Sequence, residues 1–189
     1  PARVAATPQR ALQLVHGLGV SEPGMIPALT FPPDVREIID LSLLAAGIDY
    51  QEPLVLLCPH AAPHRAWPRA HWEQLMARLV QERPECIALM ARDGDFTMPS
   101  GVVPIVPVQD ALRLAALLAR AVVVITPDSA VLHLSTLVAT PAVALYGPTH
   151  PEYCALPNTQ AMVLRHDDFP CHPCRGAQCG DRRCLSTLT

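Results

Sequence analysis

The 189 residues are half hydrophobic and carry a formal net charge of -3, with 14 basic residues, all of them arginine, against 17 acidic ones. That length supports one well-buried domain with some additional structure and leaves little room for two. The balanced charge argues against the basic footprint of a nucleic-acid binder, and Arg113 and Arg120 break the longest apolar run well short of the roughly 20 residues of a membrane span.

The chain starts at Pro1-Ala2-Arg3-Val4, without an initiator Met or the apolar stretch of a signal peptide, so the start reads as a cut into a longer protein. Residues 8–17 read as a short helix ending at Gly17 or Gly19, followed by a proline-marked connector through Pro33. From Asp34, the residues Val35, Ile38, Ile39, Leu43 and Leu44 fall at helical spacing between Pro33 and Gly47 and predict an amphipathic helix that covers a sheet. Leu54 to Cys58 is a short continuous apolar run and reads as the first buried strand. A polar loop, Pro59 to Pro68, leads to a helix carrying Trp72, Leu75, Met76, Leu79 and Val80.

Cys86 to Met90 predicts the second strand, with a turn over 91–95. Val102 to Val106 predicts a third, and Pro104 marks it as an edge because proline donates no ladder hydrogen bond. Asp110 to Ala119 reads as an apolar helix, Ala142 to Tyr146 and Ala161 to Leu164 as two more strands. Between them lies the stretch on which the site hypothesis rests. Val122-Val123-Val124-Ile125 suits a strand buried on both faces of a parallel sheet. It runs directly into Thr126-Pro127-Asp128-Ser129, where Asp128 or Ser129 is expected to cap a helix over 129–138. The free N–H groups and dipole of such a helix start attract phosphate or a sugar hydroxyl. His133, four residues after Ser129, shares a helical face with it.

Strands and helices alternating at this spacing predict an α/β fold, a Rossmann-like parallel sheet with helices on both faces. Residues 1–50 are expected to form a linker and covering helices, 51–168 the Rossmann-like domain, and 169–189 a cysteine-rich tail. The loops after Cys58, Met90, Thr126 and Tyr146 then open on one edge, the carboxyl ends of the strands, where ligands of such sheets bind.

Pro59-His60-Ala61-Ala62 with Arg65-Ala66-Trp67-Pro68, then Asp128-Ser129-Ala130-x-x-His133, then Thr140-Pro141-x-x-Ala144-Leu145-Tyr146-Gly147-Pro148-Thr149, together resemble glycosyltransferase family 9, the lipopolysaccharide heptosyltransferases. The resemblance implies a GT-B architecture of two Rossmann-like domains, with the donor ADP-heptose held mainly by the second. It further implies that this chain is that second half. The acceptor surface, for lipopolysaccharide core or another glycan or protein, and the carboxylate general base would lie in a preceding domain. It also implies a cytoplasmic enzyme that can work at the inner face of the bacterial inner membrane.

Arg65 matches a basic residue, usually lysine, that in the family contacts the donor diphosphate; a fixed cation stabilises charge building on the departing phosphate. The alternative is an exposed surface arginine. Asp128 matches the family's donor-binding aspartate and is expected to accept hydrogen bonds from sugar hydroxyls, while Ser129 and Ala130 offer backbone N–H groups to phosphate. His60, Ala61 and His133 are expected at the same donor. Met90, Ala91 and Arg92 are candidates to flank the base, Asp93 or Asp95 to hold the ribose, with Gln109 and the Gly147-Pro148-Thr149 loop nearby; solvated turns explain these equally well. A nucleotide-sugar-binding module without catalysis is the other reading of the whole.

Of the seven cysteines, Cys58, Cys86 and Cys154 are isolated and read as small apolar residues. Cys171, Cys174, Cys179 and Cys184 crowd the tail at spacings that suit a tetrahedral zinc or iron site, with two disulfides as the alternative. Some family members resemble this with an iron-binding cysteine finger. Four cysteine ligands leave no open position, so the expected role is structural, and docking of a partner is a further possibility for the tail.

Overall fold

The computed structural model describes residues 29–82, 86–90, 95–151, 160–169, 171, 174, 179 and 181–189. The expected helix over 8–17, the turn residues Ala91, Arg92 and Asp93, the residue Cys154 and the side chain of Cys86 lie outside what is described. Within it, strands β1 (Leu54–Leu57), β2 (Cys86–Met90), β3 (Val102–Ile105), β4 (Ala121–Pro127), β5 (Ala142–Leu145) and β6 (Ala161–Leu164) form one parallel sheet. Their order is β3-β2-β1-β4-β5-β6. The chain thus winds outward in one direction from β1 and then in the other from β4, which opens a crevice at the carboxyl ends of these two central strands.

Among the described residues five helices accompany the strands: α1 (Pro33–Ala45), α2 (Arg69–Glu82), α3 (Ala111–Arg120), α4 (Ala130–Leu137) and α5 (Arg183–Ser186). Val35, Ile39 and Leu43 of α1 pack with Leu117 and Leu118 of α3 and Val131 of α4 on one face of the sheet. Trp72 and Met76 of α2 cover the other face, where Leu188 of the tail joins them. Strands buried between two such layers read as continuous apolar runs, and all four residues of β1 are buried. The helix α1 therefore belongs to the core of the sheet. No helix among the described residues is long and apolar enough to cross a membrane.

Local chemistry sets the boundaries. Pro33 occupies the first position of α1, where a missing N–H costs nothing, and Gly47 takes a positive φ of 86° as the chain leaves it. Asp110 caps α3 by accepting from Arg113 N at 2.8 Å. At the other end of α3, Arg120 donates to Asp40 Oδ1 at 2.9 Å and to Tyr50 O at 2.7 Å, fixing α1 and its exit turn. Pro104 pairs with Leu89 in β3, an edge strand, as its missing donor requires.

One expectation about β4 is corrected. Val122 is 51% exposed, although the run suggested burial on both faces. The ladder with β1 shifts between Leu54 opposite Ala121 and Val55 opposite Val123, so Val122 is the unpaired extra residue of a bulge. Beyond it, Val124 through Asp128 are all buried.

Candidate functional site

The end of β4 is held on both sides. Cys58 N donates to Ile125 O at 2.9 Å, and Asp128 N donates to Leu145 O at 3.2 Å, extending the ladder past the strand. Asp128 is thereby set at the central crevice with 1% of its surface exposed. An isolated carboxylate there would cost several kcal/mol to desolvate. The fold supplies partners from two other loops: Arg65 Nη1 donates to Asp128 Oδ2 at 3.0 Å, and Thr149 Oγ1 donates to the same oxygen at 2.7 Å. Arg65 is 31% exposed on its side chain, and its loop is tightened by the Arg65 N to Ala62 O bond at 2.8 Å.

Two polar atoms at this pair remain unspent. Asp128 Oδ1 and Arg65 Nε are buried and have no hydrogen-bond partner among the described residues. Buried polar atoms are nearly always bonded, so a free acceptor beside a free guanidinium donor marks a place where a polar ligand, or water, completes the network.

The expected cap of the following helix is corrected. Ser129 holds the N-cap position with extended backbone, yet its side chain makes no capping bond and instead meets Thr126 Oγ1 at 3.1 Å. Asp128, the other candidate, commits its carboxylate to Arg65 and Thr149. Neither side chain satisfies the first N–H groups of α4, which leaves them open to an anion. Ala130 is exposed at that start, and His133 is half-buried on the same helix.

The structure thus gathers Arg65, Asp128, Ser129 and Ala130 with Thr149 of the expected 147–149 loop, whose bond to Asp128 spans 21 residues. The other expected residues stand apart. His60 is exposed and faces Asp95, Nε2 to Oδ2 at 3.8 Å. Ala61 is half-buried in the same loop. Met90 does not present its side chain to the crevice; it is packed in the core between the sheet and α1 and α3. Gln109 lines a separate groove of about 560 Å³ with Ile38, Ile105 and Val106.

Residues 36–184 match the sequence pattern of glycosyltransferase family 9 (heptosyltransferase). The chain belongs to that family. Lipooligosaccharide heptosyltransferase 2 of Haemophilus influenzae is 27% identical over 129 residues, which cover 61% of this chain and 37% of that protein. Two solved structures share the fold. The glycosyltransferase family 9 protein of Veillonella parvula superimposes with a TM-score of 0.74 at 18% identity, covering 87% of this chain and 50% of its own. The E. coli ADP-heptose lipopolysaccharide heptosyltransferase II does so at 0.69 and 19%, covering 87% and 55%. The family 9 chain described here therefore spans about half the length of these relatives or less.

Its cysteines divide as their surroundings dictate. Cys58 is fully buried after β1, and burial pushes its thiol far above the ordinary range. Cys171, Cys174, Cys179 and Cys184 line one cavity of about 240 Å³ together with His64 and Pro148. None of these five cysteines is in a disulfide, so the disulfide alternative does not describe this state of the tail. Backbone N–H groups of Arg182 and Asp181 donate to the Cys179 sulfur and lower its pKa, whereas burial and the three neighbouring thiols raise that of Cys184. As they stand, no three His, Cys, Asp or Glu side chains among the described residues are close enough together to hold a metal ion. The short helix α5, which places Cys184, had no periodic signal to predict it.

Proposed function

We propose that this family 9 chain is the donor-binding half of an inverting heptosyltransferase. One observation carries the reading: a buried carboxylate and a part-exposed guanidinium, paired at the mouth of the crevice, each keep one buried polar atom without a partner among the described residues, beside an uncapped helix start. An ADP-sugar offers the matching groups, a diphosphate for Arg65 Nε and the α4 N–H groups, and a ring hydroxyl for Asp128 Oδ1. Heptosyltransferase and ADP-heptose are named for the relatives, which supports ADP-heptose as that donor.

In the reaction, an acceptor hydroxyl oxygen attacks the anomeric carbon of the heptose as the bond from that carbon to the phosphate oxygen breaks. The configuration inverts, ADP departs with the electron pair, and the hydroxyl proton goes to a carboxylate of the preceding domain. This chain's share is orientation and charge. Asp128 holds Arg65 toward the diphosphate, and Arg65 with the helix start stabilises the charge growing on the leaving oxygens. Ser129 and Ala130 supply those N–H groups, and His133 on the same helix borders the donor. The acceptor, lipopolysaccharide core or another glycan or protein, meets the other half in the cytoplasm at the membrane's inner face.

The four tail thiols offer the donor chemistry of a structural zinc or iron ion: none is in a disulfide, all four line one cavity, and Cys179 receives backbone N–H bonds that favour its thiolate. Calorimetric titration with ADP-heptose tests the donor site. Asp128→Ala is expected to abolish measurable binding, and an affinity equal to wild type would refute the assignment.

A further inference from the structure

The tail is tied to the donor site at more than one point. Arg182 Nη1 donates to Pro63 O at 3.0 Å, two residues before Arg65. Cys174 N donates to Pro148 O at 3.1 Å, next to Thr149. Leu185 packs on Gly147 so closely that a Cβ there would lie 2.8 Å from both of its Cδ atoms. Trp67 Nε1, two residues after Arg65, donates to Leu188 O at 2.9 Å. The two loops gripped in this way are the two that supply the partners of Asp128.

Arg182 is singular within this arrangement. Among the described residues, only it and Ala139 hold a positive φ without being glycine, 44° in the case of Arg182. That conformation is disfavoured for an L-residue, whose Cβ crowds the backbone there. The strained backbone lets its N–H reach the Cys179 sulfur while its side chain reaches across 119 residues to the Arg65 loop. A glycine would serve the turn at less cost but would lack the guanidinium.

We propose that Arg182 is a positioning residue for donor binding: through Pro63 it sets the loop that aims Arg65 at the diphosphate, with the 181–188 segment as its anchor. Its effect passes through Arg65 and not through contact with the donor, and the proposal rests on the donor-site reading above. The tail therefore has a role in affinity beyond folding.

The test uses ADP as the probe on the 189-residue chain. Arg182→Gly relieves the backbone while deleting the side chain, so the melting temperature is expected to stay the same or rise. The ADP dissociation constant is expected to weaken about tenfold. Arg182→Lys, which can still donate to Pro63 O, is expected to recover most of that affinity even though it keeps the strained backbone and is no more stable than wild type. A purely structural role would make affinity follow stability. ADP affinity within twofold of wild type in Arg182→Gly overturns the proposal, as does a loss in Arg182→Lys equal to that in Arg182→Gly. Failure of the wild-type chain to bind ADP overturns the donor-site reading as well, which separates the two.

Discussion

At the scale of single residues, the Asp128–Arg65 contact decides most. Its Asp128 side is buried and its Arg65 side part-exposed, so screening reduces the pair's own strength, but an unpaired buried carboxylate is costly. Arg65→Ala is accordingly expected to destabilise the fold by about 2 kcal/mol in denaturant unfolding. Adding Asp128→Asn should recover a good part of that loss, because the uncompensated charge is gone; additive losses would show that the contact carries no coupling energy. Both variants should lose ADP affinity. Arg65 and Asp128 were legible in the sequence because their motifs are local and their residue types fit diphosphate chemistry. Thr149 was legible as part of the 147–149 loop, but its bond to Asp128 was not, and Arg182 was missed because it acts on Pro63 through a contact that no local pattern encodes. The helix cap at Ser129 was misread for a related reason: the residue type suits a cap, but its hydroxyl is drawn to Thr126 instead.

At the scale of elements, the apolar runs located all six described strands; β1, covered on both faces, leaves no alternation to misread, whereas β6 is largely exposed. The exposed start of β4 escaped because a bulge is a property of pairing, and Val122 alone does not announce it. Pro104 did announce its edge. The loop after β5 offers a prediction of its own. Gly147 lies under Leu185, so Gly147→Ala forces the tail off the loop, and overpacking of this kind costs roughly 1–3 kcal/mol. Combining it with Leu185→Ala should restore stability relative to Gly147→Ala alone, as measured by thermal unfolding. No difference between the single and double variants would mean that the two elements do not press on each other.

At the scale of the whole molecule, the sheet order places β1 and β4 side by side and so brings the 59–68 loop to Asp128, while β5 delivers Thr149 from the other side. Fold class followed from alternation and spacing; which loops meet depended on strand order, which the spacing alone left open. The cysteine tail adds a test at this scale. Elemental analysis of the reduced protein should find one zinc or iron per chain, and mild chelation should lower the melting temperature; a metal-free protein with an unaltered melting curve would rule out the ion. The chain spans about half of the solved relatives it matches, and the proposed donor site is tested by binding. The most direct measurement is calorimetric titration of the 189-residue chain with ADP-heptose, ADP-glucose and UDP-glucose side by side. The account predicts saturable one-to-one binding that is tightest for ADP-heptose and weakest for UDP-glucose. No binding of any of the three, or equal binding of all, would contradict it.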